Sequence, residues 1–289
     1  MHEPPNQYLS TVHQVSSTDS NWLDAVVHRV SEDGIVIVTD VLSADLISDA
    51  RHEMDVALDA VTTEIGNDRL MAAGEAGVAR IPMKFSRHFF TYFEIPELLA
   101  IIDRVIGPTA ICHLQNAFVL PSTQLPLKSE EIFQVRPHPD FPRYMNGYVA
   151  SLNTLVVISE FSMESGATWA LVGSHQLDRT PTDPELASEF AKHAVQACCE
   201  PGSIIVFDST LWHAAGNNTS GNSRYAINHQ WTKSFFKQQI DYVRALGEEA
   251  VRALPPRTQQ LLGWYTRVVT SVDEYYQSGE DRLYRSGQG

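Results

Sequence analysis

Cysteine and long hydrophobic runs are both scarce in this chain of 289 residues. The three cysteines, Cys112, Cys198 and Cys199, have neither the spacing of a metal site nor the even number of a disulfide framework. No apolar run is long enough to cross a bilayer. The amino-terminal residues also lack the basic stretch followed by an apolar one that marks a secretory signal. These absences predict reduced thiols and a cytoplasmic protein with no membrane partner.

Basic residues are few as well. The chain has 21 Lys and Arg against 35 Asp and Glu, which gives a formal net charge of -14. Nucleic acids and anionic membranes both attract a basic face, so the charge argues against either as a partner and favours a small-molecule substrate. The pattern gives no indication of the oligomeric state.

The hydrophobic pattern changes along the chain from helical to strand periodicity. We expect one mainly β domain with helical decoration over 1–289, with amino-terminal helices at 20–106, a strand core at 108–235 and a carboxy-terminal helical region at 240–276. Residues 64–80 have little periodicity and are predicted to be a mobile loop. The predicted helices are 21–30, 44–58, 95–105, 186–196 and 242–265, and the predicted strands are 34–38, 110–120, 149–161, 169–172, 203–212 and 224–231.

The run His138-Pro139-Asp140 and the distant His213 supply the residue types of a metal site. In an extended segment, residues two apart project to the same side, so His138 and Asp140 can chelate one ion. His213 directly follows the predicted strand 203–212, which begins with the apolar run 203–207. Two imidazoles and one carboxylate are the ligands of a facial-triad Fe(II) site, which keeps open positions for co-substrate and oxygen. The layout predicts iron-dependent oxygen chemistry.

Arg224 follows His213 by eleven residues, at the start of another strand-like run. A guanidinium can hold a carboxylate by two parallel hydrogen bonds. We therefore expect Arg224 to anchor a keto-acid co-substrate beside the iron.

The order of these motifs resembles the phytanoyl-CoA dioxygenase family of Fe(II)/2-oxoglutarate-dependent oxygenases. The resemblance rests on His138-Pro139-Asp140, Glu164-Ser165-Gly166-Ala167-Thr168, Gly173-Ser174-His175, Pro201-Gly202-Ser203, His213 and Arg224. It implies a double-stranded β-helix, the jelly roll or cupin-like fold, that uses Fe(II), 2-oxoglutarate and O₂. It also implies hydroxylation, because a small residue replaces the carboxylate in the related halogenases and Asp140 is present here.

The resemblance implies two further contacts to the co-substrate, from Thr168 and Gln115. The expected reaction hydroxylates or otherwise oxidises an unactivated C–H bond of a small organic substrate, with release of succinate and CO₂. We expect a largely apolar natural-product intermediate as the substrate. An acyl-CoA substrate is an alternative within the family, and a cupin-like lyase or isomerase that does not use 2-oxoglutarate is an alternative outside it.

Substrate contacts are expected from aromatic side chains. The segment 121–146 is rich in proline and charge and contains the first two metal ligands, and long loops of this kind are often functional. We expect it to form a wall of the active site. The candidate substrate residues are Phe133, Phe141, Tyr144 and Trp231.

Overall fold

The computed structural model describes residues 8–123, 135–279 and 281–282. The strands in these residues are β1 (Gln14–Ser16), β2 (Ile35–Thr39), β3 (Val78–Arg80), β4 (Ile111–Leu120), β5 (Ser151–Val157), β6 (Trp169–Ala170), β7 (Val195–Gln196), β8 (Ile204–Asp208), β9 (His213–Ala214) and β10 (Arg224–Thr232). They form a seven-stranded sheet in the order β1-β2-β8-β5-β10-β4-β3 and a three-stranded sheet in the order β7-β6-β9. The chain is mainly β with helices around the sheets, as predicted.

Most of the helices lie before β4 or after β10. They are α1 (Trp22–Asp33), α2 (Ala44–Ile65), α3 (Asn67–Ala72), α4 (Pro96–Val105), α5 (Asp183–Glu185), α6 (Ala191–His193), α7 (Tyr242–Leu246), α8 (Glu248–Arg252), α9 (Pro256–Leu261) and α10 (Val272–Tyr275), with 3₁₀ turns at Pro82–Lys84, Arg87–Phe93 and Ser174–Leu177 and a π turn at Leu186–Phe190. Among the described helices, none has the length and apolar character that crossing a bilayer requires.

Both faces of the large sheet are buried, and successive residues of a strand belong to different cores. In β2, Val36 and Val38 pack in the core that contains the helices, whereas Ile35 and Ile37 pack in the core that also contains residues of the small sheet. Side chains alternate between the faces of a strand, so each central strand contributes to both cores. This explains why β2 and β8 are almost continuously apolar in sequence.

The long helix α2 covers one face of the large sheet. Its buried residues Ala50, Met54 and Ala57 recur at the spacing of a helical stripe. Ser43 begins the helix, and its hydroxyl accepts a hydrogen bond from the amide of Leu46 at 3.3 Å. The helical layer and the core that contains residues of the small sheet therefore lie on opposite sides of the large sheet.

The prediction of a mobile loop at 64–80 is wrong. The segment contains the end of α2, the short helix α3 and the edge strand β3, which pairs with β4. Gly66, with φ of +89°, lets the chain turn between the two helices. Elements of six and three residues are too short to produce a periodic pattern, so they could not be predicted from periodicity.

Candidate metal centre

A backbone pairing brings two histidines from distant parts of the chain side by side. The amide of His138 donates to the carbonyl of His213 at 3.0 Å, and the reverse bond measures 3.1 Å. Residues opposite each other in an antiparallel bridge project to the same face, and the two ring centroids are 4.7 Å apart. The strand β9, which carries His213, is itself paired with β6. The fold therefore positions both imidazoles through the backbone.

Hydrogen bonds to carbonyl groups determine which nitrogen of each ring carries the proton. Nδ1 of His138 lies 2.7 Å from the carbonyl oxygen of Arg136, and Nδ1 of His213 lies 3.0 Å from that of Leu211. A carbonyl oxygen only accepts, so Nδ1 of each neutral ring donates and Nε2 keeps its lone pair. The two Nε2 atoms face Asp140, at 3.3 Å from Oδ1 and 3.5 Å from Oδ2.

Asp140 completes a compact group of three ligands. One ligand atom from each of His138, Asp140 and His213 lies within 4.8 Å of the others. The second carboxylate oxygen of Asp140 accepts a hydrogen bond from Nδ2 of Asn153 at 2.8 Å, which fixes the orientation of the carboxylate. Two imidazole nitrogens with free lone pairs and one oriented carboxylate fit an octahedral Fe(II) that keeps its other positions open.

The carboxyl group of Asp140 remains charged in this environment. Burial by itself raises its pKa, but the imidazoles of His213 and His138, when they carry a proton on Nε2, outweigh the burial through charge and hydrogen bonding and hold the pKa well below its usual range. The carboxylate therefore keeps its charge beside the two Nε2 atoms, where a metal cation can take the place of those protons.

The cavity beside this group contains a second charged residue. It is lined by Asp140, His213, Thr168, Arg224 and Asn228, among others. Arg224 is buried, and among the residues that the structure describes no acidic side chain forms an ion pair with it. Burial lowers its pKa to about 10, so the guanidinium is still charged at neutral pH. A buried cation without an anion is costly, and the cavity places this one where an anionic ligand can enter.

The guanidinium of Arg224 is held in place by neutral contacts. Nη1 donates to the carbonyl of Gly166, the guanidinium carbon lies 4.3 Å from the ring centroid of Phe161, and Nε has no partner among the described residues.

The backbone at Gly216 lies so close to the segment Gly166–Ala167 that a Cβ at position 216 would be 2.5 Å from the carbonyl oxygen of Ala167. Glycine is required at 216 for this approach, which joins the loop after His213 to the segment that holds Arg224.

One protein-family model matches most of the chain. The family model described as phytanoyl-CoA dioxygenase (PhyH) matches residues 30–226, or 197 of the 289 residues. The chain belongs to the PhyH family. It is accordingly an enzyme of the dioxygenase class, and the matched range includes His138, Asp140, His213 and Arg224.

Relatives of this PhyH chain are found in bacteria and fungi. Two proteins named as uncharacterized, from Mycobacterium bovis and Mycobacterium tuberculosis, are each 53% identical over 275 residues, which covers 95% of this chain and 99% of theirs. Dioxygenase cdmD of Talaromyces verruculosus is 24% identical over 286 residues and 90% of each chain.

Solved structures share the fold at low sequence identity. EctD from S. alaskensis, solved with 2-oxoglutarate and 5-hydroxyectoine, has a TM-score of 0.58 at 18% identity over 77% of this chain and 80% of its own. The apo form of the non-heme monooxygenase ThoJ has a TM-score of 0.59 at 17% identity over 75% and 80%. The predicted jelly-roll fold is thereby confirmed, although the described strands of this PhyH chain form two separate sheets and no closed barrel.

The structure brings Thr168 but not Gln115 to the triad. Thr168 is buried and lines the same cavity as Asp140 and Arg224. Gln115 lies on the helix-covered face of the large sheet, where its amide nitrogen donates to the carbonyl of Phe89 at 3.0 Å and to Nε2 of His229 at 2.8 Å. No co-substrate contact is assigned to Gln115, because the sheet separates its side chain from the cavity.

The aromatic residues that were predicted to contact the substrate do not lie together at the active site. Phe133 lies outside the described residues. Trp231 points to the helix-covered face, where its indole N–H donates to the hydroxyl of Thr154 at 2.9 Å. Phe141 and Tyr144 line a different cavity from the one that contains Arg224. The structure therefore does not bring Trp231, Phe141 or Tyr144 into the cavity beside the metal ligands.

Four amide side chains on the same face of the large sheet as Arg224 were not predicted from the sequence as residues of the site. They are Asn116, Asn153, Asn228 and Gln230, and each is at most 9% exposed. A signal was available for two of them, because Asn228 and Gln230 follow Arg224 at even spacings on β10 and must share its face. The other two are identified only by the register of β4 and β5 against β10.

Asn153 is expected to contribute to metal affinity without touching the metal. Partners of this kind orient a ligand, and their loss costs about 10- to 100-fold in metal affinity. Asn153→Leu should therefore weaken Fe(II) or Zn(II) binding by that amount in a competition titration with a chelator. Asn116→Leu removes an amide from the same sheet face that has no bond to Asp140, and it serves as the matched control. Equal losses in both variants would contradict the role of Asn153.

The stability of the protein is expected to fall in mild acid because His229 is fully buried. Burial lowers the pKa of His229 to about 3, whereas an unfolded histidine titrates near 6.5. Between these values only the unfolded state takes up the proton, so the free energy of unfolding falls as the pH drops through this window. The loss should be about 2 kcal/mol between pH 6.5 and 5. Denaturant titrations of wild type and His229→Gln should show a smaller pH slope in the variant, and equal slopes would contradict this assignment.

Proposed function

We propose that this PhyH-family enzyme is an Fe(II)/2-oxoglutarate-dependent oxygenase that hydroxylates an unactivated C–H bond of a small organic substrate. The observation that supports it best is that Asp140 and His213 of the three-residue group line one cavity together with the buried guanidinium of Arg224, which has no acidic partner among the described residues. A metal-dependent lyase or isomerase needs the first feature but has no use for the second.

His138, Asp140 and His213 would hold the iron. Bound Fe(II) would supply the activation of O₂ coupled to the oxidative decarboxylation of 2-oxoglutarate to succinate and CO₂. The chain would contribute orientation: the carbonyls of Arg136 and Leu211 keep each Nε2 lone pair available. Three protein ligands leave enough open positions for both the co-substrate and oxygen.

Arg224 and Thr168 would bind the co-substrate. A dicarboxylate bound to the metal by its keto-acid end would extend its other carboxylate into the cavity, where the guanidinium of Arg224 could pair with it. The Thr168 hydroxyl lines the same cavity and can donate to that carboxylate. The apolar surroundings, which include Leu155 and Phe207, would exclude water from the reacting centre.

The substrate is proposed to be a natural-product intermediate that the enzyme meets in the cytoplasm. The acidic composition supports a small-molecule partner. The two arginines of the loop next to the triad are already engaged, since Arg136 pairs with Asp183 at 2.6 Å and Arg143 stacks on Phe141 at 4.5 Å from the ring centroid. Among the described residues of this loop, this leaves little basic surface for the phosphates of an acyl-CoA.

An anaerobic spectroscopic titration tests the proposal. Fe(II) and 2-oxoglutarate added together should produce the visible charge-transfer absorption of a keto acid chelated to iron, and Fe(II) alone should not. The matched keto acid 2-oxobutanoate, which lacks the distal carboxylate, should require a much higher concentration because it leaves Arg224 unpaired. Metal binding without any keto-acid absorption would contradict the proposal and favour the lyase or isomerase.

A further inference from the structure

Asn228 is the buried amide that lines the cavity containing Asp140 and Arg224. It lies on the same face of β10 as Arg224, because the two residues are four positions apart on the strand. Leu120 and Leu155 lie opposite Arg224 and Asn228 on the neighbouring strands, and both line the same cavity. The side chain of Asn228 therefore faces the same space as Asp140 and the guanidinium.

The amide of Asn228 has hydrogen-bonding capacity that the described residues do not use. Oδ1 has no partner among them, and none of them bonds to Nδ2. The residue is 9% exposed, and the cavity is the space that it lines. Buried polar groups are nearly always paired in folded proteins, so the amide is placed to bond with a molecule that enters the cavity.

A contact with Asn116 would not exhaust this capacity. Asn116 lies opposite Asn228 on β4 and also has an unpaired Oδ1. Turning one of the two amides over would place a donor against the oxygen of the other. An asparagine has two N–H donors and an oxygen that accepts, so one bond between the two side chains would leave at least one donor of Asn228 for a ligand.

The position of Asn228 matches the length of the co-substrate. Four residues of a strand span about 13 Å. An arginine side chain reaches about 7 Å, and a five-carbon diacid spans about 5 Å between its terminal carbons, from ordinary bond lengths. A 2-oxoglutarate whose distal carboxylate pairs with Arg224 would therefore bring its keto-acid end to the level of Asn228 on β10.

The keto-acid end offers an acceptor to this amide. Chelation of a metal uses the keto oxygen and one oxygen of the C1 carboxylate, which leaves the second carboxylate oxygen available. An N–H that donates to a carboxylate makes a stronger hydrogen bond than one that donates to a neutral acceptor. A cationic side chain at this position would compete with the metal for Asp140, whereas a neutral amide would not.

We propose that Asn228 binds the keto-acid end of the co-substrate by donating from Nδ2 to the available oxygen of the C1 carboxylate. This inference deepens the proposed function and rests on it. Arg224 would select the distal carboxylate, and Asn228 would orient the end of the molecule that reacts. The two roles have different consequences for keto acids that share only one of these ends.

Anaerobic titrations with two keto acids test the role of Asn228. 2-Oxoglutarate has both ends, and 2-oxobutanoate has the keto-acid end alone. Asn228→Leu saturated with Fe(II) should need at least about tenfold more of each keto acid for half of the absorption change. The ratio between the two keto acids should remain that of the wild type. The control Asn116→Leu changes the opposite amide, which does not line the cavity, and should bind both keto acids as the wild type does.

Asn228→Asp keeps the shape of the side chain and tests the direction of the hydrogen bond. An ionised carboxylate can only accept, and it repels the carboxylate of the ligand. This variant should therefore weaken the binding of both keto acids at least as much as leucine does, and it decides the matter if Asn228→Leu does not fold. Metal affinity is measured alongside by competition with a chelator, so that a loss of iron is not counted as a loss of keto acid.

The outcomes separate the role of Asn228 from the proposed reaction. Unchanged keto-acid binding in the Asn228 variants, a loss confined to 2-oxoglutarate, or an equal loss in Asn116→Leu would each overturn the role of Asn228 and leave the proposed function in place. An absence of keto-acid absorption in the wild type would instead remove the proposed function, and this inference with it.

Discussion

Replacement of His138, Asp140 or His213 by alanine is expected to abolish turnover in each case. Fe(II) lies low in the affinity order of the divalent transition metals, so a site with three protein ligands cannot afford the loss of one. Changes to the outer partners of ligands already cost about 10- to 100-fold in metal affinity, and the loss of a ligand itself should cost more than about 100-fold. Metal content after dialysis and succinate formed from 2-oxoglutarate measure the two effects.

The control for these variants is His52→Ala, which changes an exposed histidine on α2. It should retain the metal content and the succinate yield of the wild type. Full succinate production by any one of the three ligand variants would remove that residue from the proposed site. A loss of activity with normal metal content would mean that the residue acts in the reaction and not as a ligand.

The grouping of His138, Asp140 and His213 was predictable because its signals are local. His138 and Asp140 are two residues apart in an extended segment, and His213 closes a run of strand-forming residues. The sequence could not show that the two segments pair directly, since the bridge between His138 and His213 joins parts of the chain that are 75 positions apart. It also could not show the carbonyls that orient each ring, because the backbone contributes them whatever the side chains are.

Trp231 and Gln115 were predicted to face the active site, but their side chains lie on the other face of the sheet. The errors arise because the sequence does not always show which residues of a strand point to which face. Arg224 and Trp231 are seven apart on one strand, and an odd separation puts them on opposite faces, so the sequence alone could have excluded one of them. For β4 the sequence was insufficient, because both of its faces are buried and polarity does not alternate. The register against β10 shows that Asn116, opposite Asn228, and not Gln115, faces the cavity. A shift of one residue exchanges the two faces.

The substrate is the least predictable part of the site for a related reason. The expected substrate contacts came from aromatic residues in one loop, and the structure assigns Phe141 and Tyr144 to another cavity. The buried amides Asn116, Asn153, Asn228 and Gln230 lie on three strands that are separated in sequence. The polarity of this sheet face becomes visible only when the three strands are considered together.

Arg224→Leu is expected to weaken 2-oxoglutarate binding by about 10- to 150-fold, since a hydrogen bond to a charged group contributes about 1.5–3 kcal/mol. The metal affinity should not change, because the guanidinium of Arg224 contacts the carbonyl of Gly166 and the ring of Phe161 and not the three metal-binding residues. Leucine fills a similar apolar volume and removes a buried cation, so the variant should fold. The concentration of 2-oxoglutarate that gives half of the anaerobic absorption change measures the effect.

The keto acid 2-oxobutanoate serves as the control for Arg224→Leu. It can chelate the iron through its keto-acid end but has no distal carboxylate for the guanidinium to bind. Wild type should therefore prefer 2-oxoglutarate strongly, and the variant should bind the two keto acids with nearly equal affinity. If the variant keeps the wild-type preference, the distal carboxylate is recognised by another group, and the unpaired guanidinium of Arg224 is then explained by its contacts with Gly166 and Phe161 alone.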